Sequence, residues 1–253
     1  MAGVASDLVE AVERTGGLRV RLWPLLVAVS LVLLVGATAA VAALWLASGQ
    51  VKTASYVVDG SPSGVQIRVV SGDVVLLGGA QGSVAVRRTD RSTFGHGPIE
   101  WRRMVGGRLE IASTCPRLVV GDCAASYRVA VPDNVPVSIR TDHGTIRVEG
   151  YRGSAALTTG TGAILVDAFC GYTLRATSAR GDVSVVTSCA PQQLEAHSAS
   201  GDVSVTVPVD HYRIDASAGG GPATVRGLTS DPNAPWEIQA LSTSGDVTVQ
   251  AGA

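Results

Sequence analysis

From Val137 to Val249 apolar and polar positions alternate, in a pattern that returns about every 20 residues. Taking the glycine of each copy as origin gives Gly144, Gly162, Gly181, Gly201, Gly221 and Gly245, spaced by 18, 19, 20, 20 and 24 residues. Four residues after each stand Val148, Val166, Val185, Val205, Val225 and Val249. Two after stand Ile146, Ile164, Val183, Val203, Ala223 and Val247, and three before stand Thr141, Thr159, Ser178, Ser198, Ala218 and Ser242. Five and seven before, the residues are again apolar or small, as in Ile139 and Val137 or Ala196 and Leu194. The intervening positions are mostly polar. Period 2 is that of a strand with one buried face. Each repeat therefore reads as two short strands joined by a turn at the glycine, which tolerates backbone angles that a Cβ opposes. One repeat cannot bury its apolar face, but a stack of repeats can. The expected fold is all-β, a β-solenoid of roughly 20-residue coils. The alternative is a β-sandwich with similar turns, which the in-register columns disfavour.

The N-terminal part has a different pattern. Residues 22–47 carry no charge, and as a helix they would extend about 39 Å, enough to span the ~30 Å apolar core of a bilayer with some tilt. Trp23 and Trp45 stand near its ends, where interfacial aromatics belong. A cleaved signal peptide would have a shorter apolar run and a small-residue cleavage site. Arg14, Arg19 and Arg21 precede the run and only Lys52 follows closely, so the positive-inside rule puts the N-terminus in the cytoplasm and the rest outside. The chain divides into a cytoplasmic tail (1–21), a transmembrane helix (22–47), a linker (48–64), a lead-in or capping β region (65–134) and the solenoid repeats (135–253). In the tail, Ser6 to Arg14 reads either as an amphipathic helix or as an unstructured segment. In the lead-in, Ser71–Val74 is an early copy of the repeat motif, whereas Arg87 to Arg103 reads as a loop.

Composition adds bounds. A formal net charge of −1 with one Lys against 19 Arg argues against nucleic acid as a partner. Aromatics make up 4% of the chain, so large anchors for a carbohydrate or protein ligand are scarce. The four cysteines form no C-x-x-C pair, which disfavours a structural zinc site. Cys170 and Cys189 each lie eight residues after a repeat glycine, which places them in one column of adjacent coils. Stacked strands lie about 4.7–4.9 Å apart and disulfides accept Cα separations of roughly 4.4–6.8 Å, so these two are within bonding reach. Cys115 and Cys123 flank a short loop that a second bridge would close. Two disulfides fit an oxidising, extracytoplasmic location. Asp182, Asp202 and Asp246 share a column. They can hold Ca²⁺ between them or accept hydrogen bonds from the N–H groups of their own turns. His96, His143, His197 and His211 are scattered, no catalytic motif is present, and no metal or cofactor site is expected.

Ser71-Gly-Asp-Val, the passage Tyr127-Arg-Val-Ala-Val-Pro-Asp-Asn-Val-Pro-Val and the Ser-Gly-Asp-Val repeats ending at Val249 carry a resemblance. Over roughly 65–250 the chain resembles a bacterial adhesin-like domain of unknown function, related to the head-like domains of auto-transporter adhesins. It departs at Gly219-Gly-Gly-Pro-Ala, where Pro222 stands in place of Asp, and at the insertion Asp231–Trp236. The resemblance implies a membrane-anchored or secreted fold and names no ligand site. The reading is a non-catalytic binding, adhesin-like or structural module of the cell envelope, anchored in the lipid bilayer by its helix. An envelope protein or polysaccharide is the expected partner. The alternatives are an accessory or sensory signalling subunit and a carbohydrate-active enzyme.

Overall fold

The computed structural model describes residues 17–47, 49–93, 97–116 and 121–252. It divides into two compact units, the second of which starts at Gly49. In the first unit helix α1 runs from Gly17 to Ala47, beginning five residues before the uncharged run. Its stretch Trp23–Leu44 has a mean hydropathy of 2.6 and is long and apolar enough to cross a membrane. Its apolar side chains point in all directions, without the polar stripe of a helix that lies on a globular core. Pro24 is accommodated near the start of the helix. The tail segment read as an amphipathic helix lies outside the described residues.

The second unit is built from 19 strands among the described residues. They are β1 (Gln50–Asp59), β2 (Gly64–Ser71), β3 (Val74–Ala80), β4 (Ser83–Ser92), β5 (Ile99–Val105), β6 (Arg108–Thr114) and β7 (Cys123–Pro132). The repeats follow as β8 (Val137–His143), β9 (Ile146–Glu149), β10 (Ala155–Thr161), β11 (Ile164–Phe169), β12 (Thr173–Arg180) and β13 (Val183–Thr187). They continue as β14 (Gln193–Ser198), β15 (Val203–Val207), β16 (Tyr212–Ala218), β17 (Ala223–Arg226), β18 (Trp236–Ser242) and β19 (Val247–Ala251). Within each repeat the chain lays one strand in one sheet, turns at the glycine and lays the next in the other sheet. The sheet orders are β1-β4-β7-β3-β9-β11-β13-β15-β19-β17 and β16-β18-β14-β12-β10-β8-β2-β6-β5. The repeat ladders are parallel and the expected columns are in register: Ile139, Leu157, Ala176 and Ala196 stand in line, as do Val148, Val166, Val185 and Val205. These side chains are buried to within 2% and form the core between the sheets.

The coils do not stack in sequence order at either end. Strands β18 and β19 slip between β14/β15 and β16/β17, so Val249 lies between Val205 and Val225. The insertion after β17 gives the chain the length to step back over the coil it has just laid. Val225, now on the terminal coil, is 41% exposed, while Val249 is fully covered. At the other end β2 and β3 pair directly with β8 and β9, and β6 and β7 stack outside them. The region expected to cap the solenoid thus supplies two further coils. Antiparallel additions finish this end: β1 on β4, β4 on β7, and β5 on β6. Strand β1 occupies most of the stretch expected to be a linker. Within the polar stretch Arg87–Arg103, β4 extends to Ser92 and β5 starts at Ile99, so most of it is strand rather than loop. Burial of its charges is satisfied internally: the Arg88 guanidinium pairs with Asp90 at 2.5 Å and Glu100 at 2.7 Å and donates to the Pro98 carbonyl at 2.8 Å. Glu100 also accepts the Tyr56 hydroxyl at 2.6 Å, which ties β1 to β5.

Candidate binding surfaces of the coil stack

The turn glycines do two jobs. Gly144, Gly162, Gly181 and Gly201 have φ between 139 and 149°, a region that disfavours residues with a Cβ. A Cβ on any of them would also overlap the backbone of the preceding coil's turn glycine. Gly245 lies outside that φ range and is required by the close approach alone, since a Cβ would strike the Gly201 carbonyl. At Gly221, on the terminal coil, a Cβ would strike the Asp246 carboxylate instead.

Beside this column runs a ladder of buried hydroxyls. Thr141, Thr159, Ser178, Ser198 and Ser242 are at most 1% exposed. Each donates to the carbonyl of the turn glycine one coil earlier in the stack: Gly72, Gly144, Gly162, Gly181 and Gly201, at 2.7 to 3.3 Å. The carbonyls point into the stack because the glycine turn reverses the chain there, and buried carbonyls need donors. Small hydroxyl residues recur three before the glycine for this reason.

The aspartate column makes a third ladder. Asp182 accepts from the N–H of Asp202, Asp202 from the N–H of Asp246, and Asp73 from the N–H of Thr145, at 2.8 to 2.9 Å. The carboxylates therefore serve the next coil's turn rather than their own. Among the described residues no group of three His, Cys, Asp or Glu side chains is placed to hold a metal ion. Of the histidines, His143 bonds Thr161 at 2.7 Å and His96 lies outside the described residues.

Both cysteine pairs are brought together. Cys170 and Cys189 have Cα atoms 5.1 Å apart and are joined, and Cys115 is joined to Cys123 across 6.0 Å. The first bridge links the turns that follow two neighbouring coils, at the long edge of the stack.

The outward surfaces are the places where a ligand can meet this domain. On one sheet the exposed Arg87, Arg128 and Arg147 fall in one row, with Val75 between the last two. None of the three takes part in an ion pair among the described residues. On the other sheet the exposed charges are mostly neutralised in pairs, as Arg175 is by Glu195 and Arg213 by Glu237. Those contacts hold the Arg175 guanidinium more firmly protonated; the Gln239 amide and then Arg213 hold the Glu237 carboxyl below the ordinary value. Along the edge that carries the Cys170–Cys189 bridge lies a groove of about 420 Å³, lined by residues from five segments between Asp133 and Trp236. The sequence columns did not mark this groove.

A stack of mostly parallel coils with an apolar core, two sheet faces and a grooved edge defines a β-solenoid-like domain. The chain belongs to the Toastrack DUF4097 family, whose profile matches residues 120–250. No curated protein matches it in sequence. A putative cell adhesion protein from Clostridium sporogenes is similar in structure, with a TM-score of 0.54 and 11% identity, over 80% of this chain and 100% of that one. A putative adhesin from Bacteroides fragilis overlaps with a TM-score of 0.45 and 11% identity, over 81% of this chain and 99% of that one. At these identities the first likeness is one of fold.

Proposed function

We propose that this protein is a single-pass membrane protein whose β domain stands outside the cell membrane as a non-catalytic, adhesin-like binding module of the envelope. The observation that carries this reading is the pairing of one membrane-length apolar helix with a disulfide-bonded coil stack in the same chain. Disulfides persist on the oxidising side of a membrane. The three arginines before the apolar run and the single lysine after it favour the same orientation. The similarity to a putative cell adhesion protein agrees with a binding role. The outward faces offer many contacts, which favours a binding role. Chemical crosslinking in intact cells, followed by mass spectrometry, tests it. Crosslinks from the β unit should reach envelope components. Crosslinks confined to cytoplasmic proteins and residues 1–16 would instead support a signalling subunit and contradict the proposal.

A further inference from the structure

Tyr172, Gln192 and Trp236 each stand nine residues before a turn glycine, namely Gly181, Gly201 and Gly245. The exchange of coil order brings the third of them beside the second. The N–H of Gln192 donates to the Tyr172 carbonyl at 2.9 Å, and the N–H of Glu237 donates to the Gln192 carbonyl at 3.0 Å. The three residues thus form one rail across three neighbouring coils. With strands about 4.8 Å apart, the two aromatic residues lie about 10 Å from each other along the stack. They line the edge groove with Asp133, Asn134 and Arg152, and the Cys170–Cys189 bridge forms part of its wall. Its volume of about 420 Å³ lies in the range of small-ligand sites, roughly 300–1,000 Å³.

Two further features set this edge apart. Tyr172 is 60% exposed, the most exposed aromatic of the β unit among the described residues, whereas Tyr127, Tyr151, Tyr212 and Phe169 are all in the core. Asn134 and Ala168 are the only described non-glycine residues with left-handed backbone, at φ 67 and 50°. Asn134 lines the groove, and Ala168 precedes the bridged Cys170 by two residues, where β11 shifts register. Such conformations are opposed by a Cβ and gather where a surface is held in a set shape for a ligand.

We infer that this groove is a saccharide-binding site for an extended, uncharged polysaccharide, an inference that rests on the binding-module reading above. A sugar ring offers flat C–H faces and a rim of hydroxyls. Aromatic rings take the first, and planar amide, carboxylate and guanidinium groups take the second. The distance between Tyr172 and Trp236 is close to the length of two sugar units, so the two side chains meet rings two units apart on a straight chain. Gln192 lies between them with its amide available to the hydroxyls. The charges of Arg152 and Asp133 balance, so the lining favours a neutral chain over a polyanion. A peptide adding as a strand is disfavoured here, because the backbone N–H and carbonyl of Gln192 are both used within the stack.

The test uses the full chain in detergent micelles and soluble hexasaccharides of glucose, mannose, galactose and N-acetylglucosamine, with calorimetric titration. At least one should bind, and Tyr172→Ala and Trp236→Ala should each weaken it tenfold or more. Tyr172 is so exposed that its truncation leaves the core untouched, which keeps the result readable if Trp236→Ala folds poorly. Arg128→Ala, on a sheet face, should leave the affinity unchanged. Equal binding by wild type and Tyr172→Ala would overturn the groove while leaving a binding module intact. Binding of none of the four would overturn the saccharide assignment, and the crosslinking experiment would then judge the wider reading separately.

Discussion

Replacing serine by alanine at two positions six residues apart separates the hydroxyl ladder from the surface. Ser198 is fully buried and donates to the Gly181 carbonyl at 2.9 Å. Ser204 lies on an outward, half-buried position between Val203 and Val205. The two substitutions delete the same oxygen, so intrinsic strand preference changes little between them. Ser198→Ala leaves the part-buried Gly181 carbonyl without this donor, a desolvation cost of about 1–3 kcal/mol. Ser204→Ala falls at an ordinary surface site, where changes stay within about 0.5 kcal/mol. The expected difference is therefore on the order of 1–2 kcal/mol, with the loss at Ser198. Urea unfolding of the full chain in detergent micelles, followed by the circular dichroism of the β unit, measures both. The denaturant slope should stay constant, so the shift in midpoint reads the difference. Equal midpoints, or the larger loss at Ser204, would refute the ladder and the register that builds it, since a one-residue slip exchanges the two faces.

Val205→Ala removes two buried methyl groups from the six-valine column. At about 0.8 kcal/mol per carbon, plus a cavity, it should cost about 1–3 kcal/mol in the same assay, and a cost under about 0.5 would place the column outside the core. Non-reducing peptide mapping should recover Cys170 joined to Cys189 and Cys115 joined to Cys123, and a 115–170 peptide would break the coil register. Burial, reinforced by Asp210, pushes the Tyr212 hydroxyl up to about 12, and burial raises Tyr151 as well. Unfolded tyrosine titrates near 10, so the folded state holds protons that the unfolded state has released. The stability these groups contribute is full below about pH 10 and is lost as pH rises through the folded values. Tyrosinate absorbance and β-sheet dichroism should then change together above pH 10; ionisation of all tyrosines near 10 with the fold intact would refute their burial.

The columns of the repeat were legible because period 2 fixes which face a residue takes, and a recurrent glycine fixes the phase. Those two facts suffice for Val185 over Val205 and for Cys170 over Cys189. Periodicity does not say which coil is a neighbour, so the exchange of β16/β17 with β18/β19 was not legible. Its one trace was the 24-residue spacing and the insertion at 231–236. Early strands β2 and β3 looked like a cap for the same reason: an isolated copy of the motif shows its own faces but not its place in the stack. Arg87–Arg103 reads as a loop by polarity, whereas the ladders of β4 with β1 and β7 and of β5 with β6 take up most of it, with the buried Arg88 neutralised by Asp90 and Glu100. The serine and threonine column was visible, whereas its purpose depends on the carbonyl of a residue one coil away. Tyr172, Gln192 and Trp236 were missed because their column mixes residue types. Counting nine back from each glycine returns them together with Val135, Gly153 and the buried Tyr212, so the count does not single out the groove.

Protease accessibility of a C-terminal tag tests the central claim, that the coil stack stands outside the membrane. In intact spheroplasts, protease should remove a tag placed after residue 253 while a cytoplasmic marker survives. A tag that stays protected until the cells are lysed would put the β domain in the cytoplasm and contradict the account.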